Sequence, residues 1–235
     1  MKATQYGFDQ IAHFRVLAEQ KGVPPERLQE HYKLGAIADV LEIPDPKKIT
    51  PEMRDAARQA YGLPPLNPPL LEPIGTIIIP ALTGRFSANE KFVLNYGSQA
   101  RPGVCIADLD SNFKAWFGEV IEEPTAEAVV GYARLTHSSV DGPIIVALGS
   151  HPDLTIFLCQ IYWLMEQQPN GEDGALLTNS WANIFYMPGL LRAVLVRWFA
   201  DDGGWSVGAD SVEHPDGWID SDRVFSRNSL VAVTP

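Results

Sequence analysis

From Val194 onward, residues of two kinds alternate with the period of a strand. Strand side chains point to opposite faces in turn, so Val194, Val196 and Trp198 can fill a core while Leu195, Arg197 and Phe199 look outward. Asp201-Asp202-Gly203-Gly204 is turn chemistry. Beyond it Trp205, Val207 and Ala209 make one face, and Ser206, Gly208 and Asp210 the other. Trp218 anchors a Gly/Pro/Asp loop, and Val224-Phe225 restart an extended run. The tail therefore reads as a β-ribbon.

The start of the chain has a helical period instead. Phe8, Ile11, Val16 and Leu17 share a face that Gly22 and Pro24-Pro25 end, and a second helix runs from Glu26 to Leu34. A short apolar run, Ala36 to Leu41, follows. Thr50-Pro51-Glu52 then supplies a cap, a first-turn proline and an acid for a helix reaching Tyr61. LPPLNPPLLEP, Leu63 to Pro73, excludes regular helix because proline removes donors and constrains its predecessor. Residues 1–62 are thus expected to form a small helical module, 63–74 a Pro-rich linker and 75–235 a second domain.

In that second domain Thr76–Ile79 predicts a first strand, expected to pair with or neighbour the strand of Val224 and Phe225. Phe92–Leu94 predicts another. Asp110 or Ser111 caps a helix with Phe113, Trp116, Phe117, Val120 and Ile121 on one face, stopped by Pro124. Val129–Leu135 and Ile144–Leu148 read as strands. Asp153 caps an apolar helix, Leu154 to Gln167, expected to be deeply buried. Pro169-Asn170-Gly171 is a turn, and Leu176–Tyr186 returns toward the tail with Trp181 and Phe185 as core candidates.

Composition narrows the class. The 235 residues, 46% hydrophobic and 10% aromatic, exclude a disordered chain. A net charge of -11 argues against gripping nucleic acid through the bulk surface, which needs clustered Lys and Arg. MKATQYGFDQIAHF lacks an apolar signal core and no apolar run is long enough to span a bilayer, so a cytoplasmic protein without a membrane span is expected. Cys105 and Cys159 sit among apolar neighbours and are expected as two buried thiols rather than a disulfide.

The outward set of the tail is chemically incoherent: Leu195, Arg197, Phe199, Ser206, Gly208 and Asp210, then His214, Asp216, Ile219, Ser221 and Asp222. No single catalytic mechanism asks for that mixture. One genetic rule allows it, since each of these residues is reached from an AAC or AAT codon by changing adenines alone. Lys, Gln and Met, which the rule cannot produce, are missing between Leu195 and Ser229.

With its framework of LRAV (Leu191–Val194), Trp198, Gly204-Trp205, SVEHP (Ser211–Pro215), Trp218 and RVFSRNS (Arg223–Ser229), the tail resembles the variable region of the target proteins of diversity-generating retroelements. GALLTNSWANIFYM, Gly174–Met187, is similar to the preceding segment of archaeal and candidate-phylum bacterial members. The resemblance covers roughly the last quarter of the chain strongly, the preceding hundred or so residues weakly and the N-terminal part not at all. It implies an α+β, C-type-lectin-like fold related to the formylglycine-generating enzymes, ligand binding rather than catalysis, and variation by adenine-directed mutagenic retrohoming. On that basis the eleven outward residues are the expected ligand-binding surface. Val194, Val196, Trp198, Trp205, Val207, Trp218, Val224 and Phe225 are its fixed scaffold. The expected ligand is a protein, with a glycan or a cell-envelope component as alternatives.

Other chemistry fares poorly. A formylglycine-generating-type oxidoreductase needs a thiol pair in a surface groove, and neither cysteine lies in the tail. His13, His31, His137, His151 and His214 are scattered singly, unlike zinc ligands. His137, Ser138, Ser139 and Asp141 superficially suggest a triad, but no nucleophile elbow surrounds either serine. Asp201, Asp202 and Asp210 could offer oxygens to calcium but read as solvated turn acids. No cofactor and no metal is therefore expected. A helical adaptor or DNA-binding factor through residues 1–62 is the other alternative, weakened by Glu26, Glu30, Asp39 and Glu42 interleaved with the bases.

Overall fold

A computed structural model describes residues 68–149, 154–189, 192–213 and 217–227, with five isolated positions before them, Gln20, Gly22, Pro24, Arg58 and Gln59. The chain divides into two compact units, Met1–Asn67 and Pro68–Pro235. Apart from those isolated positions, the helices expected between Phe8 and Tyr61 lie outside the described residues.

The second unit is mixed α+β and mostly sheet. Its described elements are β1 (Leu71–Ile79), β2 (Phe86–Ser87), α1 (Ala88–Lys91), β3 (Ile106–Leu109), α2 (Ser111–Phe117), β4 (Ile121–Glu122) and β5 (Ala128–Leu135), followed by α3 (Asp141–Ala147), α4 (Leu158–Glu166), β6 (Asn183–Tyr186), β7 (Arg192–Phe199), β8 (Gly204–Ser211) and β9 (Arg223–Ser226). Seven strands form one sheet in the order β1-β5-β9-β6-β7-β8-β3. The β6/β9 and β3/β8 pairs are parallel and the others antiparallel. Among the described residues no helix is long and apolar enough to cross a membrane.

Alternation along each strand divides the core in two. On one face Phe185, Phe225, Val194, Val196, Trp198, Trp205 and Val207 meet Phe113 and Phe117 of α2 and Ile161, Leu164 and Met165 of α4. On the other, Leu135, Ile184, Tyr186, Ala193, Leu195 and Val224 lie with Trp218, Ile144 and Leu148 of the α3 segment. Each large side chain so buried contributes about 1.5–3 kcal/mol.

Several expectations are corrected by this packing. Strand β1 begins at Leu71, inside the expected linker, and a bulge between Pro73 and Gly75 carries it onto β5. It does not pair with β9: β5 lies between the two and pairs with both. The β-branched run Ile144–Leu148 belongs to helix α3 and its C-cap, not to a strand: Ile144 and Leu148, four apart, are buried while Val146 is 70% exposed. Pro143, in the first turn, gives up no intrahelical donor.

Helix α4 starts at Leu158 rather than Leu154 because Glu122 of β4 accepts the Leu158 and Cys159 N–H groups at 2.9 and 2.8 Å. Asp110 caps α2 as expected, its side chain accepting from Phe113 N, but that helix ends at Phe117 and Ile121 enters β4 against β2. Phe92–Leu94 is irregular chain leading to a bridge between Asn95 and Ile106, not a strand.

Candidate functional site

The register of the ribbon decides which side chains share a row. In β7/β8, Phe199 faces Gly204, Arg197 faces Ser206, Leu195 faces Gly208 and Ala193 faces Asp210. In β3/β8, Asp108 aligns with Ser206, and the Ser206 hydroxyl donates to Asp108 Oδ2 at 3.1 Å. Arg197 is therefore the centre of a polar row with Ser206 and Asp108 on one side. Extending the β6/β7 and β6/β9 registers by one pair brings Ala182 and Asp222 to its other side. Asp222 feels the Arg197 charge, which lowers its pKa, yet burial, the largest influence, pushes it above the ordinary carboxylate value.

Arg197, Phe199, Ser206, Asp210 and Ser221 are all partly exposed, and Ile219 is 47% exposed. Asp201 and Asp202 are exposed at the ribbon's turn. His214 and Asp216 lie outside the described residues. The eight interleaved framework residues, Val194, Val196, Trp198, Trp205, Val207, Trp218, Val224 and Phe225, are all 7% exposed or less.

Three residues expected on the outward surface are instead structural. Leu195, 9% exposed, belongs to the second core, because Trp218 and the α3 segment cover this part of the outward face. Gly208 is buried where a Cβ would stand 2.6 Å from Asp110 Oδ2. That carboxylate is held by Ala209 N at 3.0 Å while its other oxygen caps α2, so a side chain at 208 would displace the cap. Asp222 is 2% exposed, its oxygens accepting from Ala182 N and Ile219 N at 2.8 and 3.0 Å. Burial of a carboxylate requires such partners. Ser221, at φ 77°, adopts a left-handed conformation that β-branched residues resist.

Below the row the ribbon is locked. Trp198 and Trp205 pack edge to face with centroids 5.4 Å apart, and Trp205 Nε1 donates to Gln168 O at 3.0 Å. Gln168 in turn bonds Leu176 N at 2.8 Å and Leu176 O at 3.1 Å, fixing the turn that contains Gly171. Gly171, at φ 73°, lies so close that a Cβ would stand 2.1 Å from Trp198 Cε2. Gly171→Ala is expected to destabilise by at least about 1–2 kcal/mol, from the left-handed backbone alone. Denaturant unfolding checks this.

Two further groups complete the site, one that the sequence does not single out and one that it offers only as a triad acid. Asp108 ends the polar row, though the run DLDSN reads only as a helix cap. Asp141, considered as a triad acid, is 2% exposed, and its Oδ1 accepts from Tyr186 Oη and Trp218 Nε1, each at 2.7 Å. His137 Nδ1 lies 2.9 Å from Thr136 Oγ1 instead. Both cysteines are free. Cys105 is only partly buried, with Sγ 3.4 Å from Asn170 Oδ1, whereas burial and the Glu122 carboxylate push the Cys159 thiol up to about 12. A thiol held protonated in this way is a poor nucleophile. Among the described residues no three or more His, Cys, Asp or Glu side chains gather to hold a metal ion.

No family model, curated protein or solved structure matches the chain. Its geometry is therefore the basis for a functional reading.

Proposed function

We propose that this protein is a non-catalytic ligand-binding protein whose C-terminal ribbon displays a diversified surface on a C-type-lectin scaffold, the variation arising by adenine-directed mutagenic retrohoming. The α+β organisation is compatible with that scaffold. The observation that carries the reading is the interleaving of buried framework residues with partly exposed residues of unrelated chemistry, Arg197, Phe199, Ser206 and Asp210, along β7 and β8. Arg197, Phe199, Ser206, Asp210 and Ile219 form the core of the variable surface, with Ser221 restricted by its backbone. His214 and Asp216 stay in the set on the sequence pattern. Leu195, Gly208 and Asp222 leave it.

Phe199 and Arg197 are the expected anchors for a protein ligand, since aromatic and Arg side chains dominate measured interfaces. Phe199→Ala should change unfolding free energy by about 1 kcal/mol or less, because the ring is only partly buried. The broader test randomises five positions together with codons ending in C or T. A library at Arg197, Phe199, Ser206, Asp210 and Ile219 should yield mostly soluble, cooperatively melting protein. The same treatment of Val194, Val196, Trp205, Val207 and Val224 should yield little. Equal losses in the two libraries would sink the division into scaffold and display. Retrohoming has its own test, a near-repeat of the 3′ end beside a reverse-transcriptase gene that differs from the coding copy almost only at adenines; differences spread evenly over all four bases would remove it.

A further inference from the structure

A cleft of ≈ 590 Å³ lies between α1 and the loop that leads into β3, with Tyr162 of α4 and Val104 in its lining. That volume is within the range of small-molecule sites. Val104 and Tyr162 belong to the core on the α2/α4 side of the sheet, so the cleft is separate from the polar row of the ribbon. Its loop is organised before any ligand arrives. Asn95 and Ile106 exchange backbone hydrogen bonds at 2.8 and 3.1 Å, closing the base of the loop. The Asn95 amide then grips Arg101, accepting from its N–H at 2.7 Å and donating to its carbonyl at 3.1 Å, with a further bond to Val104 O at 2.9 Å. A loop fixed in this way loses little entropy on binding.

What the loop presents is a solvent-exposed cation without a protein partner among the described residues, beside large apolar side chains. Lys91 in the same cleft is already engaged, 4.0 Å from Glu166 Oε1 and 5.3 Å from the centre of the Tyr162 ring. The Arg101 guanidinium has no side-chain hydrogen bond or ion pair among the described residues. Val93, Leu94 and Tyr96 stand beside it 46%, 53% and 50% exposed, a run of large side chains left in water. With Lys91 offset by Glu166, Arg101 is the cation of the cleft left without an ion-pair partner among the described residues, and Glu90 is the carboxylate in its lining. We infer that this cleft binds a small monoanionic ligand, a carboxylate on a flat or aliphatic apolar body. The Arg101 fork takes the carboxylate in two parallel hydrogen bonds, and Val93, Leu94 and Tyr96 cover the apolar part. Glu90 disfavours a dianion such as a phosphate monoester.

The test uses the full chain and ligand-observed NMR titration with benzoate, 4-phenylbutyrate and octanoate, each beside its neutral amide. At least one carboxylate should saturate, and its amide should bind about tenfold or more weakly, the scale of one charge-assisted bond. Arg101→Met should weaken the carboxylate by the same factor at an unchanged melting temperature, since the side chain is exposed. Leu94→Glu should do so by placing a like charge in the wall, and Arg197→Ala should have no effect. The assignment is overturned if none of the three carboxylates saturates below about 10 mM, if acid and amide bind alike, or if Arg101→Met is silent. Loss on Arg197→Ala would move the binding to the ribbon and equally defeat it. The diversified-surface reading stands or falls on other residues.

Discussion

Trp205→Ala is expected to cost about 3–5 kcal/mol of unfolding free energy, the range for deleting a large aromatic from a core that cannot collapse into the gap. The ring is 0% exposed, lies edge-on to Trp198 and donates its indole N–H to Gln168 O. Its removal opens a cavity beside Trp198 and strips one bond from the turn that Gly171 presses against the same tryptophan. Neighbours on both flanks are fixed, β7 by pairing and β3 by its parallel register with β8, so little can move in to fill the space. Trp205→Phe separates the two contributions. It keeps most of the burial and loses the hydrogen bond, and should fall between wild type and the alanine variant. Urea unfolding of these two variants beside Phe199→Ala measures the contrast. If Phe199→Ala costs as much as Trp205→Ala, the ribbon has no free face and cannot be a display surface.

That contrast was legible in the sequence because a two-residue period is a strong constraint: shifting it by one residue exchanges every side chain between faces. Val194, Val196, Trp198, Trp205 and Val207 fall on one core for that reason. What the period could not convey is what covers the opposite face. Alternation assigns Leu195 to the outward face, and only the fold brings Trp218 and Ile144 over that face. The roles of Asp222 and Gly208 escape the local pattern for a similar reason. Those roles come from Ala182 and Asp110, which are 40 and 98 residues away, and no local pattern links such positions.

Helix boundaries show the same limit. The Ile144–Leu148 run has a strand's composition, yet α3 is helical because Ile144 and Leu148 reach one core four residues apart. Helix α4 begins where Glu122 offers its oxygens, well upstream in sequence. Local propensity is a weak prior that tertiary contacts of this kind override. The polar row has two layers of legibility: Arg197 and Ser206 could be placed by hairpin register, whereas Asp108 enters only through the parallel β3/β8 pairing.

Asp141→Ala should cost about 2–6 kcal/mol, because it leaves the Tyr186 hydroxyl and the Trp218 indole N–H without their acceptor at about 1–3 kcal/mol for each buried donor. Asp141→Asn keeps an acceptor oxygen for both and should lose much less. The pair of variants also exposes a pH dependence of known sign. Burial is the largest influence on Asp141 and raises its pKa, the Asp210 charge adds to this, and the bonds from Trp218 and Tyr186 pull the other way. The folded protein therefore binds this proton more tightly than the unfolded chain. Its contribution to stability is full below the unfolded Asp value, about 3.9, and is lost as pH rises through the raised folded value. Asp222 acts in the same direction, its burial opposed by two backbone bonds and by Arg197. Relative to wild type, Asp141→Asn should accordingly gain stability as pH increases across that window, whatever its offset at acid pH. A second variant, Asp210→Asn, should narrow the trend, since it removes the charge facing Asp141 from the display side. A difference between Asp141→Asn and wild type that stays flat from pH 3 to 8 would mean that the carboxyl beneath Trp218 titrates alike in folded and unfolded chains, and that residue 210 can vary without the core registering its charge.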